Sequence, residues 1–261
     1  MMGKSLKKAI AVAMGVVTVA AMLTGCGGGS SDSANASKSL KGAKLKIGTG
    51  IYAPFSFKDD SGKLMGFDVD LIEALSKKTG FTYEITPTEY DNLFMAMQNG
   101  EYDIGMGQVC ITEDRKKKMD FTDAYMEAGL QFIVKKDSGI TSVDGLKGKK
   151  IAVEKGTAAH KYVMENCKDS EIVVFPAVSA AFLEVEQGKA DALMQDKPNA
   201  VYYIKKHPES GLTLLGDETS KIPDGFALPK NSPYKAELDK ALKELQADGT
   251  IDKLKDKWLN I

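Results

Sequence analysis

Between Leu45 and Gly107 short apolar runs alternate with stretches of helical periodicity, and that alternation restricts the chain to an α/β fold built on a mostly parallel sheet. Leu45-Lys-Ile-Gly-Thr49 reads as a strand. Phe55-Ser-Phe57 and Lys63-Leu-Met65 flank Asp59-Asp-Ser-Gly62, whose residue types favour a hairpin turn. In Gly66 to Gly80, Phe67, Leu71, Ile72 and Leu75 fall at helical spacing, and Gly80 supplies the stop. Asp68 and Asp70 have the look of a catalytic pair, but acids in a first turn are also what the helix dipole favours, and that reading is preferred. Phe81 to Ile85 is the next strand, Leu93 to Met97 opens a helix closed by Gly100, and Asp103-Ile-Gly-Met-Gly107 is a further strand.

That strand runs into Gln108-Val-Cys-Ile-Thr-Glu-Asp-Arg115. In an open sheet with helices on both faces, ligands sit beyond the carboxyl ends of strands. An arginine at that place offers a planar fork for a carboxylate. Arg115 is therefore a candidate carboxylate grip, the alternative being a surface arginine paired with Glu113 or Asp120.

A similar alternation follows. Gln131-Phe-Ile-Val134 and Ile151-Ala-Val153 are strands, and Glu154-Lys-Gly-Thr-Ala158 opens a helix. Gly156 and Thr157 there either present free N–H groups to an anion or form a plain threonine cap. Glu171 to Phe175 is a strand, Ser179 is expected to cap a helix ending at Gly188, and Ala190 to Met194 is a strand with Gln195 and Asp196 at its carboxyl end. The chain crosses back near Ser220–Asp224. Ser232-Pro233 caps a helix striped by Leu238, Leu242 and Leu245, and a last helix spans Ile251 to Leu259 with Trp258.

With 261 residues the chain suits two lobes, and at a net charge of −1 with no basic block nothing points to nucleic acid. His160 and His207 are far apart and have no cysteine at zinc-ligand spacing, so neither a metal nor another cofactor is expected. Lys4, Lys7 and Lys8 precede an uncharged run from Ala9 to Leu23, a signal-peptide pattern too short for a confident span. It ends in Leu23-Thr-Gly-Cys26, which resembles the bacterial lipobox. That resemblance implies cleavage before Cys26, its lipidation, a membrane anchor made by the lipid only, and an extracytoplasmic location. Gly27 to Lys41 lacks apolar periodicity and reads as a flexible tether. Cys110 and Cys167 would tie lobe to lobe if joined, so two free thiols are expected.

Five motifs in order, Tyr52-Ala-Pro-Phe-Ser-Phe57, Gly66-Phe-Asp-Val-Asp-Leu71, Gly100-Glu-Tyr-Asp103, Ile111-Thr-Glu-Asp-Arg-Lys116 and Asp120-Phe-Thr-Asp-Ala-Tyr125, resemble the family 3 solute-binding proteins, the polar amino-acid receptors of ABC importers. The resemblance covers nearly the whole mature chain. It implies a two-lobed periplasmic-binding-protein-like (type II) fold, each lobe a mostly parallel sheet with helices on both faces, joined by a two-strand hinge near 128–130 and 220–224. The expected plan is a signal peptide at 1–25, a tether at 26–42, lobe 1 at 43–129 and 222–261, and lobe 2 at 130–221. The implied partners are an amino acid, an ABC permease and its ATPase, with the receptor itself a monomer.

The same resemblance implies that Arg115 and the helix start at Gly156-Thr157 hold the ligand's α-carboxylate, that Asp196 takes the α-ammonium, and that Tyr52 and Tyr90 sandwich the side chain. Two departures stand out. Cys110 replaces the usual Ser or Thr five residues before the arginine, and a thiol is a weak partner, so the Gln108 backbone is a candidate replacement. Thr49-Gly50 stand where an acid often pairs with a cationic side chain, although Glu154 offers an acid from the other lobe. The reading favours a neutral polar amino acid such as glutamine over a cationic one. The rival class is a cleft enzyme of the same fold, cyclohexadienyl dehydratase-like, with Glu154 as its acid/base. No nucleophile–base pair, metal motif or third glycine after Gly105-x-Gly107 supports an enzyme.

Overall fold

The computed structural model describes residues 38–260. The expected signal peptide and the expected lipid-anchor Cys26 therefore lie outside the described residues. In chain order the first elements are β1 (Lys44–Thr49), β2 (Phe57–Lys58), β3 (Leu64–Met65), α1 (Phe67–Thr79), β4 (Thr82–Pro87), α2 (Tyr90–Gln98), β5 (Ile104–Met106), α3 (Glu113–Lys116), β6 (Asp120–Phe121) and β7 (Met126–Lys135). There follow β8 (Lys150–Glu154), α4 (Ala158–Asn166), β9 (Glu171–Phe175), α5 (Val178–Glu186), β10 (Ala192–Asp196), α6 (Lys197–Lys206), β11 (Leu212–Asp224), β12 (Ala227–Leu228), α7 (Lys235–Ala247) and α8 (Thr250–Trp258).

Two five-stranded sheets result, ordered β4-β1-β5-β12-β6 and β11-β7-β10-β8-β9. In the first, β1 pairs parallel with β4 and β5, while β12 runs antiparallel to β5 and β6. In the second, β8 pairs parallel with β9 and β10, while β7 runs antiparallel to β10 and β11. Parallel pairing thus makes up half of each sheet rather than most of it. The antiparallel half comes from strands that arrive by crossing between sheets, which helical patterning could not reveal.

Helix α1 shows why the local signals succeed. Phe67, Leu71, Ile72 and Leu75 are fully buried, and each is worth roughly 1.5–3 kcal/mol on burial. Gly80 closes the helix in the left-handed conformation, at φ 84°. Against that stripe pack Leu238, Leu242, Leu245, Ile251 and Trp258 of the two C-terminal helices. The indole of Trp258 donates to Asp70 at 2.8 Å. A second core runs from Tyr52, Tyr90 and Leu93 to Ala152, Phe182 and Leu193, so apolar packing continues from one sheet to the other.

Strands β7 and β11 pair from Leu212 opposite Lys135 to Asp224 opposite Met126, with register shifts between Leu215 and Thr219 and between Thr219 and Ile222. Such irregularities bend a ribbon, and they fall where the pair passes between the sheets. The first strand of this pair begins at Met126, five residues before the expected Gln131. Two helix starts also differ from expectation. Helix α5 begins at Val178, which is buried, so Ser179 lies inside it and Ala177 takes the cap position. Helix α7 begins at Lys235, because Ser232 spends its hydroxyl on the Tyr234 N–H in a turn.

Candidate functional site

The site is built outward from β5. Beyond Met106 the backbone enters left-handed conformations at Gly107 (φ 105°) and Gln108 (φ 55°). A Cβ at Gly107 would sit 3.0 Å from the N and O atoms of Gly50, so the turn needs glycine for space as well as for its dihedral. Both turn N–H groups, of Gly107 and Gln108, donate to one carboxylate oxygen of Asp68 at 2.9 Å, and the Tyr125 hydroxyl donates to the other at 2.8 Å. Burial pushes Asp68 up to about 6, against the pull of those three donors.

After this turn Thr112 caps the short helix α3 by accepting from the Arg115 N–H. The Arg115 side chain folds back over the Phe94 ring, 4.3 Å from its centroid, and beside Tyr90 at 5.4 Å. Its guanidinium donates to the Cys110 carbonyl at 2.8 Å and, across the cleft, to the Gly156 carbonyl at 2.9 Å. Lys116 occupies Glu113 and Lys230 occupies Asp120, so the alternative of a surface arginine paired with either acid does not describe this geometry. A cavity of about 370 Å³ opens beside Arg115, lined by Thr112, Gly156, Thr157, His160 and Met164.

From the second sheet, β8 ends at Glu154 and Gly156 turns the chain into α4. The Thr157 hydroxyl accepts from the His160 N–H at 3.0 Å and donates to the Glu154 carbonyl at 2.9 Å. It is a helix cap. One hydroxyl serves one of the four N–H groups of a first turn, so capping and anion binding are compatible. Asp196 ends β10 and makes no side-chain cap bond to α6. Its carboxylate instead accepts from the Cys110 thiol across the cleft at 3.6 Å. Burial raises Asp196 to about 6, while Cys110 and Arg115 pull the other way. Burial, then the nearby Asp196 charge, push Glu154 up to about 8.

Tyr52 and Tyr90 meet edge to face with centroids 5.1 Å apart, and the Tyr90 hydroxyl donates to the Gln108 carbonyl at 3.4 Å. That carbonyl is thus engaged within the first lobe. Cys110 and Cys167 are both free thiols. The two lobes also meet through Asn199, whose amide donates to the Ala53 carbonyl at 2.5 Å, and through the ion pairs Lys155–Asp91 and Lys161–Asp114.

All eight residues singled out for ligand contact, Tyr52, Tyr90, Gln108, Cys110, Arg115, Glu154, Thr157 and Asp196, lie on the segments that face one another here. Sequence reasoning missed four others. Asp68 is the buried support of the turn; it shares the stripe of Leu71, Ile72 and Leu75, and an acid on an apolar stripe was the available signal. Gln195 lies two residues beyond the Ala152–Leu193 register pair, hence beside Glu154 on the same sheet face. Asn199 and Asp224 gave no periodic signal. The buried Tyr52 hydroxyl, both amide ends of Gln108 and Gln195, Glu154 Oε2, Asn199 Oδ1 and both oxygens of Asp224 find no hydrogen-bond partner among the described residues. Buried polar groups are ordinarily paired. So many open ones mark a region whose polar complement comes from outside the chain. No group of His, Cys, Asp or Glu among the described residues is placed to hold a metal ion.

Comparison with known proteins agrees with this geometry. A family model described as bacterial extracellular solute-binding proteins, family 3, matches residues 45–261. The L-cystine-binding protein of Escherichia coli (strain K12) is 33% identical over 212 residues, covering 80% of this chain and 79% of that protein. Among solved structures, an ancestral arginine-binding protein bound to arginine is 40% identical with a TM-score of 0.79, covering 84% of this chain and 99% of the other. The structure of an ancestral arginine-binding protein bound to glutamine gives 38% identity, the same TM-score of 0.79 and the same coverage. A two-lobed α/β architecture, a cleft with an arginine fork on one wall and an aspartate on the other, and a family match over nearly all the described residues lead to one conclusion: the chain belongs to the bacterial extracellular solute-binding proteins of family 3.

Proposed function

We propose that this protein receives a neutral polar amino acid, glutamine in first place, and delivers it to an ABC permease and its ATPase from the outer face of the membrane, held there as a monomer by a lipid on Cys26. The observation that carries the binding reading is the opposed pair of Arg115 and Asp196, one from each lobe, the arginine half-buried and the aspartate buried. An α-amino acid carries a carboxylate and an ammonium group, and only the closed arrangement engages both ends. Ligand therefore shifts the lobes towards closure. The preference for an amide side chain rests on Gln108, Gln195 and Asn199, whose open donors and acceptors complement an amide, and on Glu154, which burial keeps protonated near neutrality. A cationic side chain is the second reading, favoured by the likeness to an arginine-bound relative; it would require Glu154 to ionise.

Calorimetry of residues 38–261 against the twenty amino acids tests this, with glutamine expected to bind most tightly. Absence of binding to any of them, together with turnover of prephenate or arogenate, would overturn the receptor reading. Arg115→Ala removes the carboxylate fork and is expected to weaken binding by about 2–5 kcal/mol; unchanged affinity would refute its assigned role. Cys26→Ser is expected to move the protein from the membrane fraction to the medium, and continued membrane association would rule out the lipid anchor.

A further inference from the structure

Asp224 is the last residue of β11, where the strand pair that passes between the sheets rejoins the first lobe. It is fully buried, and its two carboxylate oxygens have no hydrogen-bond partner among the described residues. Its backbone is firmly placed. The Tyr125 N–H donates to the Asp224 carbonyl at 3.0 Å, Ile111 N–H to the Pro223 carbonyl at 2.7 Å, and Gly225 N–H to the Val109 carbonyl at 3.1 Å. Asp224 also bridges Cys110 directly across the two strands. The position is thus held by main-chain bonds, and the carboxylate is not needed to build the hinge.

The groups that face this carboxylate are Asp196 from the end of β10, Cys110 beside it, Asp68 from α1, Arg115 from α3, Tyr125 ahead of β7, and Tyr90 from α2. Arg115 is the one permanent cation among them, and its two hydrogen bonds go to the Cys110 and Gly156 carbonyls rather than to Asp224. The Cys110 thiol lies near both Asp196 and Asp224, and its one proton makes the hydrogen bond to Asp196 at 3.6 Å. Asp68 has three donors of its own. Asp224 is therefore the one carboxylate in this group left without a donor, next to another acid, in a space that water does not reach.

We propose that Asp224 is the second carboxylate of the ammonium subsite: the ligand's α-ammonium binds between Asp196 and Asp224, and the proton that the Asp224 carboxyl otherwise carries is released to solvent. This rests on the amino-acid-receptor reading and extends it. Charge balances: a protonated Asp224 and an ammonium give a carboxylate–ammonium pair and one free proton. Burial and the Asp196 charge push Asp224 well above an ordinary aspartate, which favours its protonated form. The arrangement also accounts for a thiol at position 110. With two carboxylates on the ammonium, a hydroxyl acceptor there is dispensable.

The test is calorimetry on residues 38–261 with L-glutamine, and with L-arginine and L-cystine if glutamine gives no heat, at pH 7 in phosphate and in Tris. These buffers differ in ionisation enthalpy, so the difference in heat counts protons. Release of close to one proton per ligand is expected, with Kd falling up to about tenfold per pH unit as pH rises. Asp224→Asn is expected to abolish the release and to weaken binding at least about tenfold. No proton release by the unmodified protein, or release that persists in Asp224→Asn with Kd within about twofold, would overturn the proposal while leaving the receptor reading intact. Failure of the unmodified protein to bind any amino acid would remove both. Absence of proton release by the unmodified protein overturns the proposal even if the variant does not fold.

Discussion

Asp196 shows what a single residue costs when a site is built for a charged partner. Its carboxyl sits at about 6 rather than the ordinary 3.8 because burial outweighs the Cys110 thiol, the Arg115 charge and its own backbone N–H. A carboxyl raised on folding is most favourable to the fold while protonated. Its contribution is lost as pH climbs from about 4 through about 6, and above that the folded state carries the full penalty, on the order of 3 kcal/mol. Asp196→Asn is therefore expected to raise the ligand-free melting temperature at pH 7.5 by several degrees, at about 2–4 °C per kcal/mol, and to flatten its fall between pH 4 and 6. The same change should remove most amino-acid affinity. Scanning calorimetry across that range checks both halves; an unchanged melting temperature with lost binding would mean the burial penalty is met in some other way. Asp68 shares the pH window, also at about 6, so the fall is flattened rather than abolished. Arg115 stood out in the sequence by its place beyond a strand end, with a surface ion pair as the alternative, and the family resemblance decided its role and supplied that of Asp196. Asp68 left only the trace of an acid on an apolar stripe and Asp224 left none, because their roles come from burial against segments dozens of residues away.

At the scale of elements, apolar spacing located the helices and most strands, since each buries one stripe or one face and repeats accordingly. Ser179 and Ser232 misplaced two helix starts because a hydroxyl beside a turn serves either a cap or the turn itself. Sheet direction was half legible: the strand–helix alternation implies parallel neighbours, whereas β7, β11 and β12 join by pairing that leaves no local trace. The turn between β5 and α3 is the element on which the site depends, and Gly107 is its tightest point. Alanine there adopts φ 105° only with strain and meets the Gly50 backbone at 3.0 Å. Gly107→Ala should thus cost roughly 1–3 kcal/mol of stability and also move the Asp68-bound N–H groups. Urea unfolding together with amino-acid titration is expected to show both losses. A stability loss with unaltered affinity would show that the turn does not position the binding residues.

For the whole molecule the question is what holds the lobes together. Cross-cleft contacts fall into two classes. Inner ones, the half-buried bond of Arg115 to the Gly156 carbonyl and the buried one of the Cys110 thiol to Asp196, surround the ligand region. Exposed ones, Lys155 with Asp91 and Lys161 with Asp114, lie at its rim. Asp114 is held at about 2, by its hydrogen bonds to Lys161 and Lys117 before their charges, yet it is fully solvent-facing, so salt screens the pair. Exposed pairs gain little once side-chain ordering and salt screening are counted, and together they bias closure without deciding it. The double variant Lys155→Ala, Lys161→Ala is accordingly expected to weaken ligand binding by no more than about tenfold. The change should lie in faster dissociation, because ligand meets the open cleft before the rim pairs form. Stopped-flow fluorescence, in low salt and again at 0.5 M salt, separates the rates. Added salt should bring the unmodified protein's dissociation rate towards that of the variant, and a slower association rate with unchanged dissociation would mean that the rim lysines steer the ligand in rather than latch the lobes.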